Sequence, residues 1–244
     1  MFFSKYSASG NDFILTHLFR YNENSYSNLA KEICHRNLGV GADGLIILKP
    51  HLEYDFEWEF YNSDGSEANM CGNGSRAAVA YARDLGLAGN KQRFLSKAGV
   101  IYASLSGDII ESELTSPKIL EKNIKEFGVD WWLIDTGVPH LVCEGAKLNK
   151  EDLRALRHKY NANVNVAILE QNAILARTFE RGVEDETLAC GTGMAAMFVY
   201  LKECSKVGKN VLVYPASGEE IYLREENHKI FLKGRVKKIC DFIY

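Results

Sequence analysis

Residues 60–81 read FYNSDGSEANMCGNGSRAAVAY and residues 179–200 read FERGVEDETLACGTGMAAMFVY; the second stretch lies on the first without a gap. Phe60 falls on Phe179, Glu67 on Glu186, Cys71 on Cys190 and Gly72 on Gly191. The match continues through Gly74 on Gly193, Ala77 on Ala196 and Tyr81 on Tyr200. Both copies follow Phe-x6-Glu-x3-Cys-Gly-x-Gly-x2-Ala-x3-Tyr, which is too many positions for coincidence. A chain built from two related halves is therefore the first expectation.

The flanks extend the repeat. Tyr26, Leu29, Ala30, Ile33 and Cys34 keep the spacing of one apolar helical stripe, which ends before Gly39. Its counterpart lies around residues 150–160, where Asn149 can cap the start and Leu153, Leu156 and Tyr160 supply a buried face. Strands should follow each helix: Leu45–Leu48 and the alternating Phe56, Trp58 and Phe60 in the first copy, 164–169 and 173–179 in the second. After each Cys-Gly-x-Gly comes another helical stripe, carried by Ala77, Ala78, Tyr81, Ala82 and Leu85, or by Ala195, Ala196, Val199 and Tyr200.

Residues 93–115 read as strand, turn and strand around Ser106-Gly107-Asp108, and residues 210–244 as several strands separated by Pro215, Gly218, Asn227 and Gly234. Such hairpin connections favour antiparallel pairing. The expected class is α+β, with two pseudo-symmetric halves, each a mostly antiparallel sheet or barrel wrapped around the helix after its cysteine, and the active site in the cleft between them. Residues 1–114 plus 236–244 form the expected N-terminal half carrying Cys71, and residues 115–235 the C-terminal half carrying Cys190.

Composition narrows the partners. The 244 residues are 46% hydrophobic and 25% charged, an ordinary folded balance, with a net charge of -3. Without a basic excess to neutralise a phosphate backbone, a small-molecule partner is expected and no nucleic acid. The one basic stretch, Lys229 to Lys238, alternates with Ile230, Leu232 and Val236 as the wet face of a strand does. No run approaches the roughly 20 apolar residues of a membrane span, so no membrane is expected and the location should be cytoplasmic. There the six cysteines stay thiols; besides Cys71 and Cys190, the other four are expected to fill core space. A homodimer is compatible with the sequence, which does not fix the oligomeric state.

Each repeated cysteine stands where a glycine-rich loop enters a helix, so backbone N–H groups and the positive end of the helix dipole should face its sulfur. A free thiol titrates near pH 8.5, and a helix N-terminus lowers that toward neutrality, where thiolate and thiol are both accessible. Inverting a carbon by proton exchange calls for a base on one face and an acid on the other. Two symmetry-related cysteines supply that pair, and the same N–H groups can hold a carboxylate and stabilise charge developing at the α-carbon. Cys71 and Cys190 are thus the candidate catalytic pair, with no cofactor and no metal required.

The chain resembles the diaminopimelate epimerases over essentially its whole length. The segments that carry the resemblance are Ser9-Gly10-Asn11-Asp12-Phe13, Gly41-Ala42-Asp43-Gly44, Asn62 to Glu67, Met70-Cys71-Gly72-Asn73-Gly74, Pro139-His140, Asn163-Val164-Asn165-Val166, Glu180-Arg181-Gly182 and Glu186 to Gly193. The resemblance implies interconversion of L,L- and meso-diaminopimelate, on the route to lysine and peptidoglycan, without pyridoxal phosphate. It implies that Cys71 and Cys190 exchange the roles of acid and base, and that Gly72, Asn73, Gly191 and Thr192 hold the carboxylate at the reacting centre. By the same resemblance, Asn11, Asn62, Asn165 and Arg181 bind the rest of the substrate, and His140 and Glu180 orient the reacting amino acid.

Three departures from the family pattern concern the distal end of the substrate. Gly44 stands where a glutamine often does, Val138 where an asparagine often precedes Pro139, and one extra residue lies between Arg181 and Cys190. Rival readings are weaker. Gly39-Val40-Gly41-Ala42-Asp43-Gly44 satisfies G-x-G-x-x-G, yet it follows a helix and enters a strand, the reverse of a dinucleotide site. A racemase of proline-like substrates would share the two cysteines but not Asn11, Asn165 and Glu180-Arg181. A redox or zinc module built on the cysteines and His140 would leave the glycine loops unused.

Overall fold

A computed structural model describes residues 1–22 and 24–244. The chain divides into two units, Met1–Glu113 with Gly234–Tyr244, and Leu114–Lys233. The first unit holds β1 (Phe2–Ala8), β2 (Asn11–His17), α1 (Ser27–Ile33), β3 (Gly44–Lys49), β4 (Phe56–Asn62), α2 (Gly72–Asp84), β5 (Lys91–Ser96), β6 (Gly99–Ser106) and β7 (Ile109–Glu113). The second holds β8 (Lys118–Glu126), β9 (Val129–Asp135), β10 (Pro139–Glu144), α3 (Lys150–Tyr160), β11 (Asn163–Glu170), β12 (Ala173–Glu180), β13 (Asp185–Glu186), α4 (Gly191–Glu203), β14 (Asn210–Pro215), β15 (Ile221–Glu226) and all but the last two residues of β16 (Lys229–Arg235). The last strand, β17 (Lys237–Ile243), returns to the first unit.

Pairing in the first unit runs β17-β1-β2-β3-β4-β5-β6-β7. In the second it runs β8-β9-β10-β11-β12-β14-β15-β16, with β13 beside the end of β12. The two orders are the same, strand for strand, once β17 is matched to β8. The repeat is thus complete in each unit, and the first takes its outermost strand from the end of the chain.

The mostly antiparallel character follows from the connections. Parallel pairs occur where a helix carries the chain back: β2 with β3 across α1, β4 with β5 across α2, β10 with β11 across α3, and β12 with β14 across α4. Parallel strands need such a crossover, whereas tight hairpins join antiparallel ones.

Within each unit the sheet surrounds one helix. α2 rests against β1, β2, β3, β6 and β7, and α4 against β9, β10, β11, β12 and β14. Residues 72–82 of α2 are buried on every side, as a helix enclosed by a sheet must be, and small alanines let the strands approach. β3 is buried on both faces: Ile46 and Leu48 join the core around α2, while Leu45 and Ile47 join a second core beneath α1. On β4, Phe56, Trp58 and Phe60 point inward, and Phe56 stacks on Phe94 with centroids 4.8 Å apart. Each such side chain contributes about 1.5–3 kcal/mol by burial.

Local chemistry fixes the other helices. Asn149 accepts from the Asp152 N–H at 2.9 Å while Asp152 accepts from the Asn149 N–H at 3.2 Å, a complete capping box at the start of α3. The last turn carries Arg157, His158 and Lys159, which complement the helix dipole. α1 is shorter than its apolar stripe because the chain turns back after Ile33. Gly39 makes that turn possible, since a Cβ there would stand 2.2 Å from the Glu32 carbonyl oxygen.

Candidate active site

Cys71 is the N-cap of α2 and Cys190 the N-cap of α4, so each lies at the entry to the enclosed helix of its unit. Their sulfurs are held differently. The Gly74 N–H donates to Cys71 Sγ at 3.3 Å, as a glycine-rich helix entry predicts. Cys190 Sγ instead meets the Thr192 hydroxyl at 3.5 Å. Cys71 is half-buried and Cys190 buried.

The second glycine of each Cys-Gly-x-Gly serves close packing. A Cβ on Gly74 would stand 3.2 Å from Ile46 Cδ1 and 3.3 Å from Cys71 Cβ. One on Gly193 would stand 2.4 Å from Asn165 Oδ1 and 3.1 Å from Thr178 Oγ1. The first turn of α4, after Cys190, is therefore pressed onto the side chains of β11 and β12.

In the first unit, Asn11 and Asn73 belong to one oriented chain of hydrogen bonds. Arg76, wholly buried on α2, donates to Asn73 Oδ1 at 2.5 Å and to Ser9 Oγ at 3.1 Å. With its oxygen so engaged, Asn73 donates through Nδ2 to Asn11 Oδ1 at 2.6 Å, and Asn11 Nδ2 donates to Asp43 Oδ2 at 2.9 Å. Asp43 and Asp12 in turn share the Arg36 guanidinium, and Lys5 adds a second cation against Asp12. These cations hold the Asp12 carboxyl below its usual range although its burial acts the other way. Asn62 stands apart, donating to Ser66 Oγ at 3.0 Å within its own turn.

In the second unit the cross-strand register sets His140 opposite Asn163, and Asn165 opposite Thr178. Asn165 and His140 are fully buried. Asn165 Nδ2 lies 3.1 Å from His140 Nδ1, 3.3 Å from the Leu141 carbonyl and 3.2 Å from the Asn163 carbonyl, and its Oδ1 accepts from the Thr178 hydroxyl at 3.0 Å. Burial pushes His140 down to about 3; the Asn165 contact opposes this, and the charge of Arg181 adds to it. His140 is thus neutral at physiological pH. Arg181 is exposed, but its backbone N–H donates to Asn163 Oδ1 at 2.7 Å and its guanidinium to the Asn161 carbonyl at 3.2 Å. Glu180, half-buried, ends β12 just before it.

Sequence reasoning missed Arg76, Thr178 and the structural part of Asn163. Arg76 has a signal in hindsight, a cation one helical turn beyond Asn73 on an otherwise alanine-rich buried helix. Thr178 has none before the register of β11 and β12 is known. Of the four cysteines expected in the core, Cys34 and Cys143 are there, and burial pushes each thiol up to about 12. Cys204 is half-buried at the end of α4 and Cys240 is exposed on β17, because both fall on the outer side of their elements. Among the described residues no three His, Cys, Asp or Glu side chains are grouped to hold a metal ion, and no helix is long and apolar enough to cross a membrane.

Residues 3–119 and 132–239 match the family model described as diaminopimelate epimerase. The chain belongs to the diaminopimelate epimerase family. Its relatives include the diaminopimelate epimerase of Nitratiruptor sp., 59% identical over 241 residues that cover 97% of this chain and 96% of the relative. The diaminopimelate epimerase of Campylobacter jejuni is 49% identical over 248 residues, covering 100% of this chain and 99% of the relative. Among solved structures, a Bacillus anthracis phenazine biosynthesis protein of the PhzF family superposes with a TM-score of 0.76 at 15% identity, over 99% of this chain and 98% of that one. A hydroxyproline epimerase from Agrobacterium vitis gives 0.74 at 13% identity, over 99% and 91%. At those identities the solved structures speak to the fold alone, which they share with this epimerase.

Set within the diaminopimelate epimerase family, Gly44 has a steric explanation. A Cβ there would stand 2.4 Å from the Phe60 ring and 2.7 Å from the Tyr61 carbonyl oxygen. The Phe60 ring, packed edge-on against Phe13, fills the space into which a side chain at position 44 would project.

Proposed function

We propose that this epimerase interconverts L,L- and meso-diaminopimelate by proton exchange at one α-carbon, with Cys71 and Cys190 as the two bases. One observation carries the reading: the cysteines are the N-caps of the enclosed helices α2 and α4, the same topological place in two units of the same strand order. In one direction a thiolate takes the α-proton onto its sulfur, the electron pair spreads into the substrate carboxylate, and the opposing thiol delivers its own proton to the other face. The enzyme then rests with the two sulfurs exchanged in protonation, ready for the reverse reaction.

The roles of the remaining residues follow from their chemistry. Gly72, Asn73, Gly191 and Thr192 line the first turns of the two helices, where backbone N–H groups lack helical partners and suit a carboxylate. Stabilising the charge there is what a cofactor would otherwise supply. Asn11, Asn62 and Arg181 bind the remainder of the substrate, whose second amino-acid head needs fixed polar partners; Asn165, fully buried with both ends of its amide on protein groups, serves the substrate through His140. His140 and Glu180 orient the reacting head. Each unit acts as a domain carrying one of the two bases.

The N–H of Gly74 on Cys71 Sγ supports an anionic sulfur there, because a hydrogen bond to an ion is stronger than one to a neutral group. A cytoplasmic location suits this reading, since the two cysteines act as thiols and that compartment keeps them reduced; the enzyme's partner is a small molecule rather than nucleic acid or membrane, and a homodimer is compatible with this reading. The test is conversion of L,L-diaminopimelate to the meso isomer without added cofactor. Wild-type protein should turn over, and Cys71→Ala and Cys190→Ala should each fold normally and fall below detection. Substantial turnover by either variant would overturn the assignment, and a proline substrate run in parallel should stay unchanged.

A further inference from the structure

His140 presents a question of chemistry that its position alone does not answer: which ring nitrogen carries the proton. A neutral imidazole has one donor and one acceptor, and the group facing one nitrogen decides the other. The group facing Nδ1 is the side-chain amide of Asn165.

The orientation of that amide is fixed by its surroundings. Its nitrogen end faces the Leu141 and Asn163 carbonyl oxygens at 3.3 and 3.2 Å, and carbonyls only accept. Its oxygen end faces the Thr178 hydroxyl, a donor, at 3.0 Å. Turning the amide over would set its oxygen against two carbonyl oxygens in a site closed to water. The NH2 group therefore faces His140, and a proton on Nδ1 would confront those of the amide at 3.1 Å.

We infer that Asn165 is a positioning residue that holds His140 as the neutral Nε2–H tautomer, so that His140 enters the reaction as a hydrogen-bond donor and not as a base. Nε2 is buried and has no hydrogen-bond partner among the described residues, so its N–H is unspent and open to an acceptor brought by a bound substrate. The low basicity imposed by burial agrees with a ring that stays neutral. Thr178, on the neighbouring strand, belongs to the same device because it secures the oxygen end of the amide. The tautomer rests on this geometry alone; its use as a donor rests on the epimerase reading above.

Nitrogen-15 NMR of histidine-labelled protein near neutral pH tests the inference without any substrate. The expected result is one imidazole with a non-protonated Nδ1 and a protonated Nε2, identified as His140 by its loss in His140→Gln. A protonated Nδ1, as the other tautomer or as imidazolium, would overturn the proposal. In Asn165→Ala the single tautomer should give way to a mixture; retention of the wild-type pattern there would remove Asn165 from the role. Because the readout is the free protein, these outcomes are separate from whether diaminopimelate is the substrate.

Discussion

Gly193 packs against Asn165 so closely that a Cβ on it would stand 2.4 Å from the amide oxygen. The first turn of α4, which Cys190 caps, and the amide that faces His140 are thus packed directly together. Gly193→Ala should therefore displace both. We expect a loss of about 1–3 kcal/mol in urea denaturation and about a hundredfold in kcat/KM, the scale of a misplacement near 1 Å. Gly74→Ala should cost less stability, since its Cβ meets the end of the Ile46 side chain at 3.2 Å, which can give way.

Arg76 sets the direction of every hydrogen bond from α2 to Asp43, because a guanidinium only donates. Arg76→Met should leave Asn73 Oδ1 without its donor and let both asparagine amides turn. About 1–3 kcal/mol of stability should be lost, and KM for diaminopimelate should rise about tenfold, a 1.4 kcal/mol effect. Denaturation and steady-state kinetics check the two parts separately. An unchanged KM would detach Asn11 and Asn73 from substrate binding.

Stability should fall as the solution becomes moderately acid. His140 is pushed down to about 3 in the fold from an ordinary 6.5, so between those values the unfolded chain binds the proton and the native one does not. Stability then rises with pH through that window and is lost as pH falls below the unfolded value, by up to about 1.4 kcal/mol per pH unit. His17, lowered by burial, adds a slope of the same sign. Urea midpoints measured between about pH 7 and pH 5 should show the slope, and His140→Gln should reduce it to the part that His17 leaves.

Gly44→Ala should destabilise the first unit by about 1–3 kcal/mol, because β3 cannot shift from β4 without breaking its pairing. Phe60→Leu on that background should recover part of the loss by vacating the ring position. Full recovery is not expected, since the Tyr61 carbonyl oxygen, 2.7 Å from the added Cβ, stays in place. A double-mutant cycle measures the coupling.

How much of this was legible in the sequence depended on whether the signal was local. The helices after Cys71 and Cys190 announce themselves by alanine-rich stripes following glycine loops, and α3 by Asn149 and Asp152 three residues apart. β3 and β4 are apolar or alternating and stand out likewise. β8, by contrast, is a largely exposed strand of mixed polarity with irregular register against β9, so no periodicity marks it. The equivalence of β8 and β17 was hidden because β8 opens its unit in the sequence, whereas β17 joins its unit from the far end of the chain. In the site, the cysteines and asparagines could be named from spacing and resemblance, whereas Thr178 acquires its role only through the pairing of β12 with β11.

The most direct test of the two-base chemistry is the isotope content of both isomers early in the reaction. In deuterated water, L,L-diaminopimelate should give meso product carrying solvent deuterium at the inverted α-carbon, while recovered starting material carries none, because the proton taken by one sulfur is not the one returned by the other. Meso product that retains the original proton would show a single group delivering it to both faces, and would contradict the pairing of Cys71 with Cys190.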